Sequence, residues 1–227
     1  MLIDIYGPMF AEKTHTLQSS GRKELIAKKH VLAFKHKEDN RRYGLNLKTH
    51  DRRSFPAKSI EQPSEISQAV EKYFRKNKLR NISEITLLID EAQFFPPTIV
   101  DFCFEFKPAM NIYIAHLDRD YLGKAMTFDN SERHVGELMA LADRRIHLTA
   151  VCTYSKKWSL DNCGRDATYT QKIDSQRNPV LSGKTDKAVG GEGKYEPRCL
   201  GHYVFPQGAN EFFSTKELLE EVVKKRK

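Results

Sequence analysis

The segment that most constrains the fold is an eight-residue stretch between a short apolar run and a helix-compatible sequence. Residues 7–14 read GPMFAEKT and follow the phosphate-loop pattern G-x-x-x-x-G-K-[ST] except at Glu12, where the pattern has its second glycine. Residues 2–6 before it favour a strand, and residues 13–29 after it favour a helix. In such a loop, backbone N–H groups and the helix N-terminus surround phosphate groups. The segment therefore indicates an anion site at the start of an α/β domain.

Strand-like and helix-like segments alternate through the first two-thirds of the chain. The predicted strands are residues 2–6, 31–34, 85–89, 112–117 and 146–151, and the predicted helices include residues 13–29, 64–77 and 131–142. Leu17, Leu25 and Ile26 are expected to place the first helix against the core. The continuous apolar runs at 85–89 and 112–117 are typical of strands buried on both faces. The alternation predicts an α/β fold with a parallel sheet and helices on both faces.

The amino-acid composition changes after about residue 150. Cys, Gly, Asn, Lys and Thr replace the apolar periodicity until about residue 203. Ser214 and Glu217 have the spacing of a capping box, which predicts a last helix ending at Lys227. We therefore expect an α/β domain at residues 1–150, an accessory lobe at 151–205, and a C-terminal tail and helix at 206–227.

Charge and hydropathy limit the classes of partner that this chain is expected to bind. The net charge of +8 favours polyanions such as nucleotides, while its dispersal along the chain makes nucleic acid a possible but not a favoured partner. No stretch approaches the roughly 20 apolar residues of a membrane span, so we expect no membrane partner. The N-terminal segment has no basic region before a hydrophobic one, which predicts a cytoplasmic location.

Two acidic residues end the strand predicted at 85–89. Asp90 and Glu91 stand at its carboxyl end, where ligands bind in open α/β sheets. An acidic residue in that place can hold the magnesium of a bound nucleotide. Together with the loop that begins at Gly7, these residues predict a site for a magnesium–nucleotide complex.

The four cysteines occur at positions 103, 152, 163 and 199. A cytoplasmic protein would not normally pair them as disulfides. Cys103 lies beside Phe102 and Phe106 on an apolar helix face, which favours a small core residue. For the other three, metal binding and unpaired buried thiols both stay open. Cys199 is followed by His202 at the x-x spacing, and thiolate and imidazole both suit tetrahedral zinc.

The chain resembles the thymidine kinase family of animals, many bacteria, poxviruses and large phages. The matching segments are GPMFAEKT at 7–14, THD at 49–51, IDEAQFF at 89–95, LDRDY at 117–121, LTAVC at 148–152, CGRDATYT at 163–170 and GGEGKYEPRC at 190–199. They occur in the family's order and cover nearly the whole chain except the C-terminal tail. The resemblance implies a P-loop (RecA-like) parallel sheet, a small zinc-binding lobe with a lasso-like loop, and a homotetramer.

The resemblance also implies phosphoryl transfer from Mg²⁺-bound ATP to a nucleoside. Lys13 would contact the donor phosphates and Thr14 the magnesium, with Asp90 supporting the metal. Glu91 would act as general base on the nucleoside 5'-hydroxyl, a task that suits a carboxylate. The base pocket would be formed by Met9, Leu117, Tyr121, Thr170 and Tyr195.

The zinc ligands depart from the family pattern of two Cys-x-x-Cys pairs. Cys152 and Cys163 are separated by residues 153–162, which look like an insertion. His202 takes the place of the last cysteine. The resemblance thus implies a structural Zn²⁺ held by Cys152, Cys163, Cys199 and His202. The resemblance further implies a pyrimidine deoxynucleoside as substrate, with thymidine the first to test. The loop before Tyr195, which binds the base in the family, is longer here than is usual.

Three functions follow from the sequence. The first is an ATP-dependent thymidine kinase-like enzyme. The second is a catalytically impaired relative that binds a nucleotide as a sensor, scavenger or assembly partner, because Glu12 places a carboxylate and a non-glycine backbone near the phosphates. The third is a basic nucleic-acid-binding zinc protein. Repulsion at Glu12 predicts weak ATP binding that Glu12→Gly restores by about tenfold or more.

Overall fold

The computed structural model describes residues 1–39, 46–48, 54–155, 163–183 and 194–206. In chain order its helices and strands are β1 (Leu2–Tyr6), α1 (Lys13–Ile26), β2 (His30–His36), β3 (Asn46–Lys48), β4 (Ser54–Pro56), β5 (Lys58–Ile60), α2 (Pro63–Lys76), β6 (Ile85–Asp90), α3 (Thr98–Phe106), β7 (Asn111–His116), α4 (Gly136–Leu141), β8 (Arg144–His147), β9 (Ala150–Val151), β10 (Asp166–Ala167), β11 (Tyr169–Lys172) and β12 (Tyr195–Arg198). Short 3-10 turns lie at Lys37–Asp39, Ile82–Glu84 and Ala92–Phe94.

A six-stranded sheet in the order β5-β2-β6-β7-β1-β8 forms the centre of the first unit, and each of its strand pairings is parallel. Every residue of β6 is buried, as expected of a central strand covered on both faces. Its side chains alternate between two hydrophobic clusters, with Leu87 and Ile89 in one and Leu88 in the other. The predicted α/β, P-loop-like fold class is confirmed.

Helix α1 approaches the sheet closely at a glycine. A Cβ atom on Gly21 would lie 2.5 Å from Cδ1 of Leu88, so a larger residue would push the helix away. Leu17 is fully buried, as predicted, but Leu25 is 49% exposed and Ile26 is 82% exposed. The expectation that these two join the core is wrong. Ile26 follows Leu17 by nine residues, which turns it about 180° round the helix, away from the sheet.

The chain forms two compact units. The first contains Met1–Gly7, Glu12–Asp118 and Ala125–Leu148. The second contains Pro8–Ala11, Arg119–Lys124 and the described residues from Thr149 onwards. The division predicted at residues 1–150, 151–205 and 206–227 stays a prediction, and residues 207–227, with the capping box at Ser214, lie outside the described residues.

Two predicted elements differ from the observed ones. The single strand expected at 146–151 is wrong, because β8 pairs with β1 in the large sheet whereas β9 pairs antiparallel with β10 in the second unit. The helix expected from residue 131 begins at Gly136, since His134 forms a β-bridge with Thr127 instead. Among the helices that the structure describes, none is both long and apolar enough to cross a membrane.

Candidate active site and metal cluster

The loop that follows β1 begins at a position that only glycine can fill. Gly7 has φ of 152°, and a Cβ atom there would lie 2.2 Å from the backbone oxygen of Leu148. Phe10 and Glu12 also have positive φ, at 66° and 56°. The segment between β1 and α1 is thus a tight turn that repeatedly visits the left-handed region.

Glu12 occupies the left-handed conformation at the N-cap of α1. Glycine adopts this conformation freely, whereas other L-residues pay about 1–2 kcal/mol for it. The glycine of the phosphate-loop pattern therefore has a backbone reason at this position. The carboxylate itself turns outward: its side chain is 76% exposed, and Oε2 lies 3.3 Å from Nδ1 of His15.

The loop and the end of β6 meet through a hydrogen bond. The hydroxyl of Thr14 donates to Oδ2 of Asp90 at 2.8 Å, and Asp90 is almost fully buried. Lys13 is also buried, and burial lowers the pKa of its ammonium group, while the carboxylates of Glu91, Asp90 and Asp118 act in the opposite sense. The structure thus gathers a cation, a hydroxyl and several carboxylates at the carboxyl end of the sheet.

Glu91 is held in an unusual backbone conformation directly after β6. Its φ is 53°, in the left-handed region, at the start of a 3-10 turn. The side-chain amide of Gln93 donates to Oε2 of Glu91 and accepts from the backbone N–H of Leu117 at 3.3 Å. Gln93 was not among the site residues predicted from the sequence. Its position two residues after a candidate general base was the signal that could have identified it.

Four of the five predicted nucleoside-binding residues lie in the second unit. The backbone N–H of Met9 donates to the hydroxyl of Thr170 at 3.0 Å. The rings of Tyr121 and Tyr195 are buried, with centroids 6.4 Å apart. Lys172 places its ammonium group 4.9 Å from the Tyr121 ring centroid.

The fifth predicted residue, Leu117, follows β7 in the first unit. The hydroxyl of Tyr121 donates to the backbone oxygen of Ser182 at 3.3 Å. Residues 184–193 of the long loop, residues 156–162 of the expected insertion and the THD segment at 49–51 lie outside the described residues.

The predicted zinc ligands come together in the second unit. The ligand atoms of Cys152, Cys163, Cys199 and His202 all lie within 4.8 Å of one another. Nδ1 of His202 faces the sulfurs, 3.7 Å from Cys152 Sγ and 3.5 Å from Cys199 Sγ. Three thiols and an imidazole within this distance have the chemistry and number of a tetrahedral zinc site. The cluster is compatible with structural zinc.

Neighbouring residues hold this cluster in place. The ring of Tyr154 stacks on His202 with centroids 4.2 Å apart, and the guanidinium of Arg198 lies 5.5 Å from the centre of the Tyr154 ring. A hydrogen bond from the backbone N–H of Arg165 holds the pKa of the Cys163 thiol below its usual value.

Cys103 is fully buried in the hydrophobic core of the first unit, which confirms its prediction as a core residue.

A parallel sheet whose first strand runs into a phosphate-loop-like turn, with a lysine, a threonine and carboxylates at its carboxyl end, defines an α/β protein of the P-loop-like fold. The sequence profile of the family described as "Thymidine kinase" matches residues 1–203. The chain belongs to the thymidine kinase family.

Individual relatives come from archaea, viruses and animals. The thymidine kinase of Pyrobaculum aerophilum is 31% identical over 206 residues, which cover 91% of this chain and 100% of the relative. That of Myxoma virus is 30% identical over 205 residues, covering 88% of this chain and 94% of its own. The cytosolic thymidine kinase of Gallus gallus is 27% identical, covering 88% and 75%.

These matches identify the chain as a thymidine kinase-like phosphotransferase, for which the family implies ATP, a divalent metal and a deoxynucleoside. They give no support to the nucleic-acid-binding or impaired-relative hypotheses.

Proposed function

We propose that this chain transfers the γ-phosphate of ATP to the 5'-hydroxyl of thymidine or a related pyrimidine deoxynucleoside. The observation that carries the proposal is the meeting of Lys13 and Thr14 with Asp90 and Glu91 in a member of this family. Thr14 and Asp90 are 76 residues apart in sequence and share a hydrogen bond. The product, a pyrimidine deoxynucleoside monophosphate, is a precursor for DNA synthesis.

The donor phosphates would lie at the loop that begins with Gly7. The ammonium group of Lys13 would contact them, because it is held at the start of α1 beside the carboxyl end of β6. The Thr14 hydroxyl and the Asp90 carboxylate are the hard oxygen ligands that magnesium prefers. The ion, when bound, would neutralise charge on the phosphates and orient them for in-line attack.

Glu91 is our candidate for the general base. As the 5'-oxygen of the nucleoside attacks the γ-phosphorus, the hydroxyl proton would pass to the Glu91 carboxylate. The hydrogen bond from Gln93 holds Oε2 of Glu91 in place. Because both oxygens belong to one planar carboxylate, the direction of Oε1 is then set as well. A base whose geometry is set before the substrate arrives loses less entropy on the way to the transition state.

Within the second unit, the nucleoside would be recognised by Met9, Tyr121, Thr170 and Tyr195, and a role for Leu117 of the first unit stays a prediction. The aromatic rings of Tyr121 and Tyr195 would supply the stacking contacts with the base. The hydroxyl of Thr170 is oriented by the Met9 backbone N–H that it accepts from. We place thymidine first among pyrimidines because of family membership.

The zinc cluster would stabilise the second unit. All four tetrahedral positions would be filled by Cys152, Cys163, Cys199 and His202, which is typical of structural rather than catalytic zinc. Assembly as a homotetramer and a cytoplasmic location stay predictions.

A phosphoryl-transfer assay tests the proposal. The purified protein is incubated with Mg²⁺, ATP and thymidine, deoxyuridine or deoxycytidine, and 5'-monophosphates are separated and counted. We expect thymidine monophosphate to form, and a Lys13→Ala variant to form roughly 10²-fold less, the usual cost of losing a charge on the transferred phosphate. ATP binding without any monophosphate from the wild type would overturn the proposed function.

A further inference from the structure

Asp4 and His116 form a buried pair in the middle of the large sheet. Asp4 lies on β1 and His116 on β7, two residues beyond Ile114, the register partner of Asp4. Side chains two residues apart on a strand share one face, so the carboxylate and the imidazole can meet. Nε2 of His116 lies 2.8 Å from Oδ1 of Asp4, and both side chains are fully buried.

The hydrogen bonds of His116 define where its protons lie. Nδ1 is 2.9 Å from the backbone oxygen of Leu117, and since a carbonyl can only accept, Nδ1 carries a hydrogen. A neutral imidazole then has a lone pair on Nε2, which would repel the lone pairs of an ionised carboxylate. A proton must therefore lie between Nε2 and Asp4. The pair is neutral as a whole, whether this proton rests on the imidazole or on the carboxyl group.

Overall neutrality explains how the pair can be buried. An isolated carboxylate in a protein interior costs several kcal/mol, and no described residue donates to Oδ2 of Asp4. The neighbouring Cys103 adds no charge, because burial and the Asp4 carboxyl group both raise the pKa of its thiol. The Tyr6 ring stacks beside His116 with centroids 6.2 Å apart.

The pair is connected to the candidate general base by consecutive hydrogen bonds. His116 donates to the backbone oxygen of Leu117. The backbone N–H of Leu117 donates to Gln93, and Gln93 donates to Glu91. All of these residues belong to the first unit. The N–H and the carbonyl of Leu117 belong to adjacent peptide planes that meet at its Cα, so the two hydrogen bonds together restrict rotation about the Leu117 backbone and help to keep its N–H directed at Gln93.

We propose that Asp4 and His116 are positioning residues of the phosphotransferase: they share one buried proton and, through Leu117 and Gln93, set the orientation of Glu91. The inference rests on the proposed function for its kinetic part. The pair is otherwise a costly choice for a sheet interior, where apolar residues of similar volume are often as stable.

Kinetics of three variants test the positioning role. His116→Leu removes the donor to Leu117 and should lower kcat by about tenfold, the effect of one lost orienting hydrogen bond, with little change in the KM for thymidine. Asp4→Asn should lower kcat less than His116→Leu does, because its amide can donate to Nε2 in place of the shared proton, and a loss as large as in His116→Leu would contradict this arrangement. The double variant Asp4→Val/His116→Leu replaces both buried polar side chains with apolar ones but still lacks the donor to the Leu117 carbonyl, so it should fold stably and still show the lower kcat.

The control is Thr86→Val, which removes a different, partly buried hydrogen bond at the opposite end of β6, from the Thr86 hydroxyl to Glu24 at 3.1 Å. It should lower stability and leave kcat unchanged. If the double variant regains the wild-type kcat, the pair has only a structural role and the inference is overturned.

Nuclear magnetic resonance separates this inference from the proposed function, because it needs no turnover. With ¹⁵N-labelled protein, we expect a slowly exchanging proton coupled to Nδ1 of His116. The side-chain amide signals of Gln93 should shift in His116→Leu and in the double variant, and stay in place in Thr86→Val. A His116 without a proton on Nδ1, or Gln93 signals unchanged in His116→Leu, would overturn the inference even in an inactive protein. Absence of turnover in the wild type would instead overturn the proposed function.

Discussion

The hydroxyl of Thr14 donates to Oδ2 of Asp90 at 2.8 Å and so joins the first turn of α1 to the end of β6. Both are candidate magnesium ligands, and the hydrogen bond sets their separation before any ion binds. Substitution of either Thr14 or Asp90 should therefore affect catalysis as well as stability.

Thr14→Val should lower kcat by roughly 10²-fold, because loss of the hydroxyl misplaces the metal and with it the γ-phosphate. Thr14→Ser keeps the hydroxyl and is the matched control, expected within a few-fold of the wild type. Steady-state kinetics over a range of Mg²⁺ concentrations measure both. A Val variant with the wild-type kcat at saturating Mg²⁺ would remove Thr14 from the metal site.

Glu91→Gln should leave thymidine binding nearly intact and lower turnover by about 10² to 10⁴, the usual contribution of a general base. The amide is nearly the same size as the carboxylate, so packing around Gln93 should be preserved. Binding is measured by calorimetry and turnover by monophosphate formation. An equally active Gln variant would assign the base to another residue.

Glu12→Gly should raise the affinity for ATP by about tenfold or more, as the sequence predicts, because glycine adopts the left-handed backbone without strain and can approach phosphate closely. The structure suggests how to separate the effect of the Glu12 backbone conformation from the effect of its negative charge. Since the Glu12 side chain is 76% exposed, its charge is screened by water, and Glu12→Gln should recover only a small part of the gain.

Titration of a non-hydrolysable ATP analogue into the wild type and both variants measures these affinities. A Gln variant that binds as tightly as the Gly variant would make charge the dominant cause. Equal affinities in all three proteins would show that the loop tolerates Glu12 fully.

The second unit should hold about one zinc per chain, and Cys199→Ser should lose most of it, because a filled Cys3His shell needs every ligand. Cys103→Ala is the control and should keep the metal, since Cys103 is buried in the first unit. Tyr154→Ala should weaken zinc binding by about tenfold through loss of the ring that orients His202, whereas Tyr154→Phe should not. Elemental analysis and competition with a chelator give these values. Metal content unchanged in Cys199→Ser would contradict the assignment.

Asp143 predicts an acid dependence of stability. The backbone N–H of Leu2 and the ammonium group of Lys107 hydrogen-bond its carboxylate at 2.7 and 3.0 Å, and both hold its pKa below the usual value. Because the folded pKa is the lower one, the stabilisation is present above the unfolded pKa of about 3.9 and is lost as the pH falls through the folded value.

Asp143→Asn should therefore reduce the free energy of unfolding at neutral pH by about 0.5 kcal/mol, a small value because the side chain is 42% exposed. The variant and the wild type should converge in acid. Urea unfolding followed by circular dichroism at several pH values measures the difference, with the exposed Asp101→Asn as control. A difference that persists unchanged at the lowest pH would contradict the assignment.

Local sequence determined much of the architecture. The continuous apolar run at β6 identified a strand buried on both faces, because only a central parallel strand needs no polar alternation. The loop at 7–14 and the acids after β6 predicted a phosphate site, since phosphate binding demands specific residues at fixed spacing after a strand, and the structure brings Thr14 and Asp90 together there. The four zinc ligands could be named because the chain resembles a family that carries two Cys-x-x-Cys pairs, whereas their approach to within 4.8 Å of one another required the tertiary structure.

Tertiary structure decided what depends on partners distant in sequence. Ile26 is apolar but exposed, because the sheet contacts the face of α1 that carries Leu17 and Gly21. Residues 146–151 do not form one strand, because β8 pairs with β1 in the large sheet whereas β9 pairs with β10 in a separate two-stranded sheet. Asp4 is a buried acid within β1 whose partner, His116, lies 112 residues away in sequence. Local patterns report the preferences of one segment, whereas a buried hydrogen bond depends on which other segment the fold brings beside it.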